Sequence, residues 1–219
     1  MDACRQGWVA VRLDHRGRFG EAVLHRELES VVAQAGEALV AVDIPLGLTR
    51  QEWRECDRIA AGRVGRRSSS VFRIPPRPVV ETADYAAANA LCRELTGSGL
   101  NFQAHGLFAK IREADRIKGA GAGRLYEVHP ELSFRTMAGA PLSAAKKNWN
   151  GQAERRRLLA NEGIVLPDDL GEAGRVPADD VLDAAAAAWS AHRIAAGRSS
   201  CLPEHTQLDD RGEAIAIHC

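Results

Sequence analysis

The chain has 219 residues, and its 29 Lys and Arg are matched by 29 Asp and Glu. That length suits one large domain or two small ones with a sizeable core. A neutral chain exerts no global pull on nucleic acid, so an anionic partner must be held by local basic patches. Five scattered cysteines (Cys4, Cys56, Cys92, Cys201, Cys219) with no CxxC pair argue against a disulfide framework and a zinc knuckle.

In chain order, Gly7–Leu13 (GWVAVRL) and Phe19–His25 read as two strands joined by a loose turn around Gly17. Glu27–Glu37 is a short helix, with Leu28, Val31, Val32 and Ala35 on one face. Leu39–Ile44 follows as a short apolar run, stopped by Pro45 and Gly47. Such a run fits a strand covered on both faces, and proline cannot donate to a ladder. Asp43 then sits at the C-terminal edge of this strand, where open α/β sheets place ligands. A buried carboxylate needs a partner: a cation, a metal, or N–H groups of the Pro45–Gly47 turn.

Residues 49–120 differ in texture. Helices are predicted over Thr49–Ala61, Thr82–Leu95 with Thr82 as N-cap, and Phe102–Lys118. An irregular basic loop, RVGRRSSSVFRIPPRP, lies between the first two. The block reads as an insertion capping the sheet within a single domain of residues 1–219. The GAGAG run of residues 119–123 lacks GxGxxG spacing and carries no nucleotide-binding signal. Leu125–Phe134 (LYEVHPELSF) resumes the sheet, Gln152–Asn161 is helical, and Ala178–Ala196 is the strongest helix, with Asp179 as N-cap and Gly197 after its end. Gly212–His218 is a short tail strand. The opening MDACRQGW has no apolar signal core, and no run reaches the roughly 18 apolar residues of a membrane span. A cytoplasmic protein with no membrane partner is expected.

Five acids are candidates for one site: Asp2, Asp43, Glu127, Asp180 and Asp183. Asp180 and Asp183 share a helix face, although acids in a first turn are also favoured by the helix dipole. Carboxylates gathered at a sheet edge repel one another unless a cation lies between them, and hard divalent cations prefer oxygen ligands. Asp43 and Asp183 are therefore expected to approach closely enough to share Mg²⁺ or Mn²⁺. His129 and Glu131 flank Pro130; the histidine is a metal ligand, a proton shuttle or a hydrogen-bonded structural residue. Seven arginines between residues 54 and 77, and Lys146, Lys147, Arg155, Arg156 and Arg157 further on, offer phosphate contacts, though a solvated surface accounts for most of them. Ser68–Ser70 has no triad order or nucleophile elbow beside it.

Taken together, GW near the start, VDIPLGL, the Cys-Asp-Arg of residues 56–58, SSSVFRIPPRPV, EVHPELSF, the KK…G…RR segment and DDVLDAAAAAW resemble a bacterial and archaeal family of predicted RNase H-like nucleases. The resemblance runs in order over nearly the whole chain. It implies an α/β fold with a mixed five-stranded sheet in the order 3-2-1-4-5, the second strand antiparallel, flanked by helices, with the 49–120 insertion after the fourth strand. It also implies acids from the first strand, the fourth strand and the last helix: Asp2, Asp43 and Asp183 or Asp180, with Glu127 nearby. The family pattern leads into its first acid with an apolar strand, whereas here only Met1 precedes Asp2. Either the start lies later than the family's, or Ala3–Cys4 onward supplies a shortened strand.

The leading expectation is a divalent-metal-dependent phosphodiesterase acting on DNA or RNA. Asp43, Asp183, Glu127 and Asp2 would be the catalytic acids, and Asp43, Asp183, Asp180 and Asp2 the metal ligands. Arg58, Lys146, His129 and Glu131 would contact substrate. A non-catalytic nucleic-acid- or protein-binding module on the same fold is the alternative. Small-molecule phosphoryl transfer ranks last, since no phosphate-cradling glycine hairpin is evident.

Overall fold

The computed structural model describes residues 1–121 and 123–219, and for Arg66, Arg67 and Ser69 the backbone alone. Parts of the basic loop, the serine run and the glycine run therefore lie outside the described residues. The described chain forms two compact units. The first comprises residues 1–44, 122–200 and 218–219, and the second residues 45–121 and 201–217.

In the first unit, β1 (Asp2–Cys4), β2 (Gly7–Leu13) and β3 (Phe19–His25) form an antiparallel meander, with β2 in the middle. Asp2 pairs with Val9 and Trp8 with His25. Both longer strands have the boundaries that their alternating patterns predict. The tight entry into β2 depends on Gly7: at φ +139° a Cβ there would lie 2.0 Å from the His25 carbonyl oxygen. A short helix, α1 (Leu28–Ala35), follows.

Two strands, β4 (Val40–Val42) and β5 (Leu125–Glu127), pair in parallel, Val42 opposite Glu127. The expected single five-stranded sheet is thus replaced by hydrogen-bonded sheets of three, two and two strands, in a mixed α/β protein. The reason is register. The start of β1 lies beside the end of β4, so the two overlap at one parallel bridge, Asp2 to Asp43, supported by Asp43 N–H donating to the Met1 carbonyl at 3.0 Å.

The EVHPELSF stretch also departs from expectation. The strand stops at Glu127, and Pro130 opens a helix, α7 (Pro130–Ala138). Proline's fixed φ suits a first helical turn, and Glu131 beside it complements the dipole. Next comes α8 (Trp149–Asn161), whose N-cap Asn148 accepts from Gly151 N–H at 2.8 Å. The last helix of this unit, α9 (Ala178–Ala195), is capped by Pro177 rather than Asp179, which lies in the first turn. Ala184–Ala187 are fully buried. Their small side chains let α9 lie close to β1, β2 and β4 and to α7 and α8. Val9, Val11, Phe134, Leu159 and Ile164 pack with α9 in one apolar core. Ser133 and Ser190 hydroxyls, 2.8 Å apart, satisfy each other where α7 crosses α9.

The second unit holds the expected 49–120 block and, in addition, most of a hairpin made of β6 (Cys201–Leu208) and β7 (Ala214–His218). Strand β6 is not apparent from the sequence, because CLPEHTQL alternates poorly. The predicted Thr49–Ala61 helix starts later, as α2 (Glu55–Val64). Residues 65–70 form a 3-10 turn, and a short helix, α3 (Arg77–Glu81), follows the prolines. Thr82 ends α3, so Asp84 takes the N-cap of α4 (Tyr85–Thr96), accepting from Ala87 N–H at 2.9 Å. The long 102–118 helix is broken at Leu107 into α5 (Phe102–Gly106) and α6 (Phe108–Gly119). Among the described residues, no helix is long and apolar enough to cross a membrane.

Candidate metal centre

Three elements of the first unit converge on one point. The bridge between β1 and β4 sets Asp2 beside Asp43, and α9 delivers Asp183 from its second turn. Each offers a carboxylate oxygen, and the three lie within 4.8 Å of one another. Asp2 and Asp183 are buried and Asp43 is half-buried. The approach expected of Asp43 and Asp183 is therefore present, with Asp2 beside them. Asp2 accepts from its neighbour Ala3 N–H at 2.8 Å. No donor hydrogen-bonds the Asp43 carboxylate among the described residues.

The buried Met1 amine, donating to the Ala41 carbonyl at 2.8 Å, lies near Asp2 and Asp43, and a lysine ammonium reaches Asp183. Lys146 Nζ lies 2.5 Å from Asp183 Oδ2, with the lysine side chain 33 % and the aspartate 2 % exposed. The other oxygen, Asp183 Oδ1, is buried and has no hydrogen-bond partner among the described residues. An orphaned buried carboxylate oxygen is costly, and it marks a place for a cation or donor.

The electrostatics follow from this crowding. Burial, then the Asp43 and Asp183 charges, hold the Asp2 carboxyl well above its ordinary range. Burial also raises Asp43, against the charges of His129 and Lys146. Asp183 is pushed up to about 6, first by burial and then, with Lys146 opposing, by Asp43. Asp180 reaches about 6 through burial and neighbouring Asp179. Burial alone would lower Lys146, but Asp183, Asp43 and Asp2 outweigh it and keep the amine protonated above its usual range.

The loop that carries Lys146 is fixed from two sides. Arg155, fully buried on α8, donates to the Ala144 carbonyl at 3.2 Å and to the Gly151 carbonyl at 3.0 Å, and pairs with the Glu131 carboxylate. The Ala145 carbonyl presses on Gly151 so closely that a Cβ there would sit 1.9 Å from the oxygen.

The other expected site residues fall as follows. Glu127 is buried on β5, opposite Val42, and is not among the three acids sharing the 4.8 Å group. Asp180 stands one turn before Asp183 on α9, half-buried and also outside that group. His129 occupies the N-cap of α7, its carbonyl accepting from Leu132 and Ser133 N–H; its charge acts on Asp43. The Glu131 carboxylate is held by Arg155. Arg58 belongs to the second unit, where its exposed guanidinium pairs with Glu55 at 3.1 Å. The buried partnership of Arg155 with Glu131 has no signal in the sequence, since Arg155 sits in a run of three arginines that reads as surface. Asn148 followed by Gly151 is the one legible hint of a tight turn there.

Hard oxygen donors, an orphaned oxygen and a negative surplus fit a hard divalent cation such as Mg²⁺ or Mn²⁺. Over residues 1–208 the chain matches the family described as "Protein of unknown function (DUF429)", and it belongs to that family. Neither the curated proteins nor the solved structures compared with it gave a match.

Proposed function

We propose that this protein is a divalent-metal-dependent phosphodiesterase acting on nucleic acid, with Asp2, Asp43 and Asp183 as the metal ligands. The observation that carries the reading is the convergence of these three carboxylates, with Asp183 Oδ1 buried and without a hydrogen-bond partner among the described residues. The Asp2–Asp43 bridge supports a strand order β3-β2-β1-β4-β5, the arrangement of an RNase H-like fold, with the acids at its centre. When bound, a divalent ion would act there as a Lewis acid on the phosphoryl group. The protein's own part is to hold the three acids on separate rigid elements. Lys146, protonated and half-exposed, would offer a donor to a phosphate oxygen. Lys147 and the 82 % exposed Trp149 follow it in the chain, a charge and an open ring of the kind that meets phosphate and base of a single strand. Asp180, half-buried near the acids, and the half-buried His129 are candidates for proton transfer.

Single-stranded DNA and RNA oligonucleotides, incubated with the full chain and Mn²⁺, test this. Cleavage that needs the metal and disappears in Asp183→Asn is the expected result. Binding without cleavage, unchanged by chelator, would favour the non-catalytic module.

A further inference from the structure

We propose that Lys146 stands in for a second cation, so that the three-aspartate site takes one divalent ion and not two. This rests on the metal reading of that site and specifies its stoichiometry. Asp183 divides its two oxygens. Oδ2 is held by the Lys146 ammonium at 2.5 Å, while Oδ1 is buried and without a partner. A carboxylate shared by two metal ions commonly gives one oxygen to each, and here one of the two is already engaged by a positive charge.

The count of charges agrees. Lys146 offsets one of the three carboxylate charges, and among the neighbouring groups Asp180 adds to the negative side while His129 and the Met1 amine oppose it, which leaves little surplus for a second divalent ion. The nearby Glu131 adds no net surplus, because buried Arg155 pairs with it. A second divalent ion would have to expel Lys146. Its loop keeps the Lys146 backbone beside the site, since Ala144 is tied to Arg155 and the Ala145 carbonyl is wedged against Gly151. The tethered ammonium thus carries part of the electrostatic stabilisation that a second metal supplies in two-metal sites, where the ions lie roughly 4 Å apart. Lys146 is on this account a positioning residue for the metal and a donor towards a bound phosphate.

The test counts ions on the full-length protein with Mn²⁺ as the probe, by calorimetry and electron paramagnetic resonance. The wild type should bind one Mn²⁺ per chain, with the six-line signal of an isolated ion on release and no spin coupling when bound. Lys146→Met should bind two, with a coupled signal, and should hold the first about tenfold more tightly because the opposing charge is gone. Lys146→Arg should keep a count of one. Two coupled ions in the wild type, or one in Lys146→Met, would overturn the inference while leaving the metal site in place. No Mn²⁺ bound to the wild type would overturn the metal reading, and this inference with it. Circular dichroism checks each variant's fold. Lys146→Gln, which keeps more of the side chain's polarity, replaces Lys146→Met if the latter does not fold; the wild-type count decides against the proposal by itself if it is two.

Discussion

Asp43 is a carboxylate that no hydrogen-bond donor supports among the described residues, set beside two others. Changing it to asparagine keeps its shape and removes a repelling charge. In EDTA at pH 7.5 Asp43→Asn should melt at the wild-type temperature or higher, and the Mn²⁺-induced rise expected of the wild type should be absent. Had its role been to tie down the following turn by charge-assisted bonds, the substitution would cost roughly 1–3 kcal/mol. Thermal melts of the two proteins, with and without metal, separate the cases by sign. Trp149 makes a second prediction at this scale. If its exposed ring stacks on a base, Trp149→Ala should weaken single-strand binding by about 1–3 kcal/mol and leave stability unchanged, measured by fluorescence anisotropy.

Elements matter here through how they hold one loop. Helix α8 starts at Trp149 with a glycine in its first turn because the Ala145 carbonyl occupies the space of a side chain. Backbone oxygen cannot swing aside as a long side chain does. Gly151→Ala should therefore cost about 1–3 kcal/mol, as overpacking does, and lower the urea midpoint without changing the slope. Arg155 does more than hold the loop. It is fully buried, and its loss removes the guanidinium that pairs with the buried Glu131 carboxylate in the first turn of α7. Arg155→Ala should cost roughly 3–5 kcal/mol, the usual result of breaking a buried pair from one side, again read from urea denaturation. Both substitutions lie outside the three acids, so they probe the frame of the site and not its ligands.

At the scale of the whole molecule, the acids couple stability to pH. Asp180 and Asp183 have ordinary values near 3.8 and reach about 6 in the folded chain, and Asp2 and Asp43 are raised as well. A raised carboxyl favours the folded state while it is protonated. Its contribution is full below about pH 4 and is lost as pH rises through about 6. The metal-free protein should therefore lose, between pH 4 and 7, a share of stability that Asp43→Asn retains in part. The variant should gain on the wild type across that window. Mn²⁺ competes with these protons, so its stabilising effect on the wild type should be small at pH 4.5 and large at pH 7.5. Melting curves at half-unit pH steps, with EDTA and with Mn²⁺, measure both trends. A metal effect that does not grow with pH would place the ion somewhere other than these acids.

How much of this was legible beforehand varies with the kind of residue. Strands β2 and β3 and helix α9 are present in the sequence as strong local patterns, and each has nearly the boundaries those patterns predict. Asp43 is also readable, since a charge at the end of an apolar run has few reasons to be there. The helix that replaces the expected strand at Pro130 was not, because apolar spacing over PELSF suits both periods and a proline at a first turn decides only once the chain has room to coil. Neither was the break between β1 and β4. The resemblance implies one continuous sheet, but the start of β1 meets only the end of β4, so the two share a single bridge and no ladder. Local patterns are enough for the β2–β3 hairpin, the alanine-rich helix and the list of candidate carboxylates, because these depend on neighbours within a few residues. Only the tertiary structure decided that Asp2 joins Asp43 and Asp183 while Glu127 does not, that Arg155 is a buried strut, and that Lys146 takes one oxygen of Asp183 and leaves the other bare. Those outcomes depend on distances between residues far apart in the chain, which packing against α9 sets and no local pattern encodes.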